Sequence, residues 1–129
     1  MTLEAAQKIA AASLAEARAN NLNLVIAIVD DGGHLITLSM METAQYGSID
    51  VAIAKAKTAA AFRRPTKLFE DMAKSRPTLA TIANASLLEG GVPIIHNGQV
   101  IGAVGISGAT AQQDTQVAET GINSLGLTR

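Results

Sequence analysis

The residue types best suited to holding a ligand are concentrated in a glycine-rich stretch, residues 90–114. Gly102, Gly105 and Gly108 recur at every third position and leave a predicted strand almost without side chains, so another group must approach its backbone closely. That group is either a ligand or an alanine-rich helix, and the sequence leaves both interpretations open. Ser107 then leads into a predicted helix start, whose free N–H groups could hold a carboxylate or a phosphate.

A basic corner is predicted where the second helix ends. Lys55 and Arg63 are eight residues apart and share roughly one side of that helix. Pro65 ends the helix, because the residue before a proline is pushed out of the helical region, and Arg64 and Thr66 flank it. A rigid corner of this kind suits an anionic group such as a small carboxylate or a haem propionate. A solvated helix face is the alternative interpretation.

Two histidines and a pair of acidic residues are the other candidates. His34, at the start of a predicted strand, and His96, at the head of a predicted hairpin, could each ligate a metal or a haem iron through the imidazole. Both also suit solvent-exposed turns. Asp30 and Asp31 could serve general acid–base chemistry only if two carboxylates converged on one cleft, whereas Asp residues in turns usually bond their own backbone. The sequence contains no recognisable catalytic motif, and it predicts no metal site beyond the His34 alternative.

Composition excludes several classes of protein and favours one soluble domain. The 129 residues are 48% apolar and carry a net charge of −1, which predicts a fully packed single domain over residues 1–129. The scattered basic residues argue against nucleic-acid binding, and no apolar run is long enough to cross a membrane. No cysteine is present, which rules out disulfides and thiolate chemistry. We expect a cytoplasmic protein whose small aliphatic residues complete their burial in a homo-oligomer.

Hydrophobic periodicity and turn residues predict helices that cover antiparallel hairpins. Thr2, Ser48 and Thr110 are predicted helix N-caps, and Asn97-Gly98 is a strong signal for a type I′ hairpin turn. Residues 75–89 are the least legible and suggest a buried irregular segment or one more short strand. The predicted order is a helix over 3–20, strands over 24–29 and 34–41, helices over 49–63 and 65–74, strands over 92–96 and 99–107, and a last helix ending near Leu125.

Several ordered motifs resemble the GlcG/HbpS family, which includes the C-terminal domain of PduO-type proteins. They are Met1-Thr2-Leu3-Glu4-Ala5-Ala6, Val29-Asp30-Asp31-Gly32-Gly33-His34-Leu35, Gly47-Ser48-Ile49-Asp50 with Ala54-Lys55-Ala56-Lys57-Thr58-Ala59, Phe62-Arg63-Arg64-Pro65-Thr66, Gly90-Gly91-Val92-Pro93-Ile94, and Ile101-Gly102-Ala103-Val104-Gly105-Ile106-Ser107-Gly108-Ala109 with Gln113-Asp114. The resemblance implies a three-layer α/β (α+β) domain with an antiparallel sheet of about five strands covered by helices, similar to profilin-like sensor folds. It also implies a symmetric oligomer.

The resemblance and the candidate residues together predict an oligomeric small-molecule-binding protein, with haem as the favoured cofactor, accessory to a catabolic or a redox-stress pathway. His34 is the candidate haem or metal ligand. Lys55 and Arg64 would hold carboxylates, while Thr66 and the Gly108 amide would donate hydrogen bonds. The expected pocket is lined by Lys55, Arg64, Thr66, Gly91, Pro93, Ser107 and Gly108.

Two other interpretations of function stay open at this point. One is a small enzyme acting on a carboxylate or a diol-derived metabolite, with an acid or base drawn from His34, Asp30 or Glu42. The other is a structural or accessory subunit whose helix surfaces carry its function.

Overall fold

The computed structural model describes residues 1–128. In chain order the elements are α1 (Leu3–Ala19), β1 (Val25–Asp30), β2 (Leu35–Met40), α2 (Gly47–Phe62), α3 (Thr66–Ala73), a short 3₁₀ helix (Pro77–Thr81), β3 (Gly91–His96), β4 (Gln99–Ser107) and α4 (Ala111–Asn123). Among these described residues, none of the helices combines the length and the apolar character that a bilayer crossing requires.

The four strands form one antiparallel sheet in the order β2-β1-β4-β3. β3 and β4 are the predicted hairpin, and their turn Asn97-Gly98 has φ angles of 51° and 75°, both positive as a type I′ turn requires. β4 lies beside β1 with Ser107 opposite Val25 and Gly102 opposite Asp30. This register puts the β1–β2 turn and the start of α4 at opposite ends of the sheet.

Helices cover both faces of the sheet, so the domain has three layers. α1 and α4 pack together on one face, and α2 lies across the other. The α1–α4 face buries the larger strand side chains: Ile26, Ile28, Val92, Ile94, Val104 and Ile106. The α2 face buries smaller ones, and the helix meets them with alanines: Ala52, Ala56, Ala59 and Ala60. Small side chains on both surfaces let α2 approach the sheet closely.

At Gly105 the backbone of α2 lies directly against the backbone of β4. A side chain at this position would collide with the Ala52 carbonyl and the Ala56 amide. The group predicted to lie against the bare strand is therefore the alanine-rich helix at this glycine, and the alternative of a ligand laid on Gly105 is excluded. A side chain at Gly102 would instead meet the carbonyl of Val29 on the neighbouring strand.

The sheet has four strands, whereas about five were expected. Residues 75–89 hold the 3₁₀ helix and irregular chain, and most of them are exposed, so they form neither a further strand nor a buried segment. Pro77 cannot donate to a strand ladder, and Asn84 has a left-handed φ of 58°. Both residues therefore disfavour an extended conformation in this segment.

Of the three predicted helix N-caps, Thr2 and Thr110 are confirmed and Ser48 is wrong. The Thr2 hydroxyl accepts a hydrogen bond from the Ala5 amide at 3.1 Å, and Thr110 forms the predicted capping box. Ser48 does not cap α2, because that helix begins earlier, at Gly47, and Ser48 is buried within its first turn. α4 ends two residues before its predicted limit.

Gly105→Val should destabilise the domain, because the added side chain has no space beneath α2. Overpacking a close contact costs about 1–3 kcal/mol, and here the obstructing atoms are backbone. Urea unfolding followed by circular dichroism should show a lower midpoint. Gly47→Ala is the matched control, because nothing lies within 4 Å of the added carbon and alanine favours a helix. A Gly105→Val protein as stable as the wild type would contradict the described packing.

Candidate functional site

Several predicted pocket residues meet where β4 ends and α4 begins. The Thr66 hydroxyl accepts the Gly91 N–H at 2.8 Å and so fixes the start of α3 to the start of β3. A side chain at Gly91 would collide with the Lys55 carbonyl and the Thr66 methyl group. Lys55, Ser107 and Gly108 line one small cavity at this end of the sheet. α2, α3, β3 and β4 therefore meet at one junction.

The Lys55 side chain points into the protein and is only 4% exposed. Its Nζ donates to the Ile106 carbonyl at 2.8 Å and to Asp114 Oδ2 at 3.1 Å. A side chain at Gly90 would lie within 2.8 Å of this Nζ, so the glycine makes room for the ammonium. A carboxylate of the protein itself thus occupies the position beside Lys55 that was predicted for a ligand carboxylate.

Asp114 joins this ion pair to the start of α4. It is 3% exposed, and its Oδ1 accepts the Ala109 N–H at 3.0 Å. Burial raises the pKa of the Asp114 carboxyl above its ordinary value, and the nearby Lys55 ammonium opposes this rise. Glu89 is also buried and accepts a hydrogen bond from the Thr115 hydroxyl at 2.8 Å. Its charge adds to the rise in the pKa of Asp114.

Sequence reasoning missed the roles of Asp114 and Glu89. A signal for Asp114 was present, because it begins the buried stripe of α4 that continues at helical spacing through Val117, Ala118 and Ile122. A charged residue on such a stripe needs a buried partner. Glu89 had no comparable signal, because it follows an irregular segment without periodicity.

A cavity of about 230 Å³ opens beside the Lys55–Asp114 pair. Ser107 lines it and is 8% exposed. A wider depression of about 520 Å³ adjoins the cavity and shares Glu70 and Glu89 with it. The cavity therefore presents a primary ammonium, a hydroxyl and carboxylates to a small polar molecule.

Arg64 and Pro93 were also predicted to line the pocket, but neither lines this cavity. Arg64 donates from Nε to the Phe62 carbonyl at 3.1 Å, and its guanidinium stands 5.9 Å from the centre of the Phe69 ring. Pro93 is buried within β3, opposite Ala103 of β4. The exposed Arg64 thus lies over the ring of the buried Phe69, and Pro93 forms part of the sheet.

His34 lies at the other end of the sheet, five strand residues or about 17 Å from the β4 terminus. Its Nδ1 is 3.1 Å from both carboxylate oxygens of Asp30. Asp30 Oδ1 also accepts the backbone N–H groups of Gly32 and His34, and the latter is the main reason that the pKa of Asp30 lies below its ordinary value. The carboxylate is therefore fixed in its charged form against the imidazole.

The outer face of α2 provides a groove near this turn. It measures about 470 Å³ and is lined by Asp50, Ile53, Ala54, Lys57, Asn84 and Ala85. A carbon added to Gly33 would lie 3.8 Å from Lys57 Cγ, so the stem of Lys57 packs against the turn that carries His34. Lys57 therefore connects the groove to the histidine.

The remaining candidates are Glu42 and Asp31, which are exposed, and His96, which is partly buried. Glu42 forms an exposed ion pair with Arg18 at 3.6 Å, and Asp31 is exposed in its turn. His96 Nε2 lies 3.3 Å from the side-chain nitrogen Nδ2 of Asn97, the next residue in the sequence. Within residues 1–128, no three His, Cys, Asp or Glu side chains are grouped so that they could bind a metal ion.

Comparison with known proteins identifies relatives over nearly the whole chain. A family model described as "Haem degrading protein HbpS-like" matches residues 1–123. Protein GlcG of Escherichia coli (strain K12) is 44% identical over 108 residues, which cover 83% of this chain and 81% of GlcG. A crystal structure of a double mutant of Streptomyces reticuli HbpS is 32% identical and superposes with a TM-score of 0.91, covering 98% of this chain and 87% of that one. A crystal structure of a PduOC–haem complex shares the fold, with a TM-score of 0.90 at 24% identity over 99% of this chain and 96% of that one.

Lys55→Met should destabilise the domain at neutral pH, because it leaves the Asp114 carboxylate buried without its cation. Removing one partner of a buried ion pair costs about 3–5 kcal/mol. Without Lys55, the pKa of Asp114 should rise further above its unfolded value, so protonating this carboxyl favours the folded state. The deficit in the free energy of unfolding should therefore shrink as the pH falls from neutrality toward about 4.

Urea unfolding at several pH values measures this deficit. Lys8→Met, which replaces an exposed lysine of α1, is the control and should follow the wild type throughout. A Lys55→Met deficit that is constant with pH would show that Asp114 is not the group left uncompensated.

Proposed function

The chain belongs to the HbpS-like family, and from this membership we propose that it binds haem, with His34 as the iron ligand. The family description names haem, and PduOC, whose fold this chain shares, was crystallised as a haem complex. The observation that carries the proposal is the His34–Asp30 arrangement, because it leaves one imidazole nitrogen open toward solvent.

The donor chemistry of His34 fits a haem iron. An ionised carboxylate only accepts hydrogen bonds, so in the neutral imidazole Nδ1 carries the proton and Nε2 has the free lone pair. The His34 side chain is 81% exposed, which leaves that lone pair accessible. A carboxylate that fixes the tautomer and orientation of a histidine is the usual outer partner of a metal-binding imidazole. His34 therefore has the preparation expected of an axial ligand.

The groove on the outer face of α2, near His34, supplies groups that could contact the rest of a porphyrin. Its volume of about 470 Å³ lies within the range of about 300–1,000 Å³ usual for ligand pockets. Ile53 and Ala54 give it an apolar wall, and the Lys57 ammonium could pair with a propionate. Bound haem would supply a redox-active iron, whose reactivity the surroundings of His34 would tune.

The proposed site is open on one side, and a second copy of the chain would enclose it. Leu35 is exposed beside His34, and the neighbouring Leu38 and Met40 of β2 are only partly covered by α2. An apolar strip on an edge strand favours contact with another molecule. The homo-oligomer expected from composition remains part of the proposal in this form.

Titration of the purified protein with hemin tests the proposal. The wild type should shift the Soret band at micromolar hemin, and His34→Ala should abolish or greatly weaken that shift. Asp30→Asn keeps the shape of the side chain but removes its charge, and loss of such a partner typically costs about 10–100-fold in affinity. His96→Ala is the control and should bind as the wild type does.

The titration tests haem binding and the assignment of His34 as the iron ligand independently. A wild-type protein that leaves the Soret band unshifted would overturn haem binding itself. A normal shift in His34→Ala would retain haem binding but overturn the assignment of the iron ligand.

A further inference from the structure

Lys55 is a buried primary amine that the proposed haem site does not use. Its Nζ is held at the far end of the sheet by the Ile106 carbonyl and by Asp114. Gly90 adopts a φ of 128° beside it, a conformation that few residues other than glycine tolerate. Buried ion pairs can often be replaced by hydrocarbon without loss of stability, because desolvation offsets the attraction. Stability alone therefore does not require that this position hold an ion pair rather than two apolar side chains.

The surroundings of this amine are those of a binding cavity. The space of about 230 Å³ has apolar walls at Val51 and Leu88, and it meets the Lys55–Asp114 pair at its inner end. Ser107 lines the same space, so its hydroxyl can donate a hydrogen bond to an acceptor on a ligand.

We propose that this cavity binds a small aldehyde or ketone and that Lys55 forms an imine with its carbonyl carbon. Proteins use buried lysines for Schiff-base chemistry. The cavity is smaller than an ordinary cofactor pocket, so the carbonyl compound has only a few carbon atoms. The Ser107 hydroxyl would donate to the carbonyl oxygen. The proposal is independent of haem binding, because it concerns the opposite end of the sheet.

The proposed step balances without any oxidant or reductant. Asp114 Oδ2, 3.1 Å from Lys55 Nζ, first accepts a proton from the ammonium. The freed lone pair then bonds to the carbonyl carbon, the π pair of the C=O bond moves to oxygen, and Asp114 returns its proton to that oxygen.

Loss of water completes the sequence. Asp114 takes a second proton from nitrogen and passes it to the hydroxyl, which leaves as water while the nitrogen lone pair forms the C=N bond. One ammonium and one carbonyl compound thus give one iminium and one water. The raised pKa of Asp114 suits a carboxyl that must hold a proton between these transfers.

Reductive trapping on the purified protein tests the proposal. The protein is incubated with acetaldehyde and sodium cyanoborohydride, and the ethylated lysines are quantified by peptide mapping. A positioned proton-transfer group accelerates such chemistry by about 10²–10⁴-fold. Lys55 should therefore be ethylated at least about tenfold faster than the exposed Lys8, Lys57 and Lys67, although it is the least accessible of them. Faster labelling of the exposed lysines, with Lys55 unmodified, would overturn the proposal.

Variants identify the groups that assist Lys55. Asp114→Asn should slow ethylation of Lys55 by about 10²-fold while leaving Lys8 unchanged, because Asn cannot accept the proton. Ser107→Ala should slow it less, since the hydroxyl only polarises the carbonyl. Circular dichroism checks that each variant is folded. Where a variant does not fold, the peptide map of the wild type still shows whether Lys55 is modified. Equal labelling of Lys55 in wild type and Asp114→Asn would contradict the proposed proton acceptor.

Discussion

The close contact between α2 and Gly105 determines where the lysine side chains of α2 lie. With no side chain on the strand, the helix rests its backbone on β4 at Ala52 and Ala56. Lys55, next to this contact, is thereby directed to the Ile106 carbonyl at the end of the strand. Lys57 is exposed and packs against the turn at the other end. This one backbone contact therefore directs Lys55 and Lys57 toward opposite ends of the sheet.

The Lys55–Asp114 pair turns this helix position into a link between layers. Lys55 belongs to α2 on one face of the sheet, whereas Asp114 belongs to α4 on the other. The pair bridges them past the strand terminus, where Ile106 accepts from Nζ and Ala109 donates to the carboxylate. Because every member has a defined partner, the geometry is more specific than an apolar contact of the same size. Such specificity is valuable at a site where one nitrogen atom must be held in place.

Local chemistry in the sequence was enough to predict most elements, but tertiary partners were not readable from it. The Asn97-Gly98 turn and the Thr2 and Thr110 caps depend on neighbouring residues alone, and all three are confirmed. The number of strands could not be predicted, because residues 75–89 have no periodicity that distinguishes a strand from irregular chain. Likewise, Lys55 was predicted to bind an outside carboxylate because its partner Asp114 lies 59 residues further along the chain.

The candidate site residues lie in two separate places. The length of a strand and the periodicity of a helix explain this separation. His34 was named from the sequence as a possible iron ligand beside a pocket that included Ser107, yet the β1–β4 register separates the two residues by about 17 Å. The cavity at Lys55, about 230 Å³, is too small to hold a molecule that spans this distance. Residues 55 and 57 cannot share a ligand either, because side chains two positions apart on a helix point in different directions. The domain therefore offers two separate environments, an exposed imidazole with a charged partner and a desolvated amine, and a ligand held in one leaves the other open.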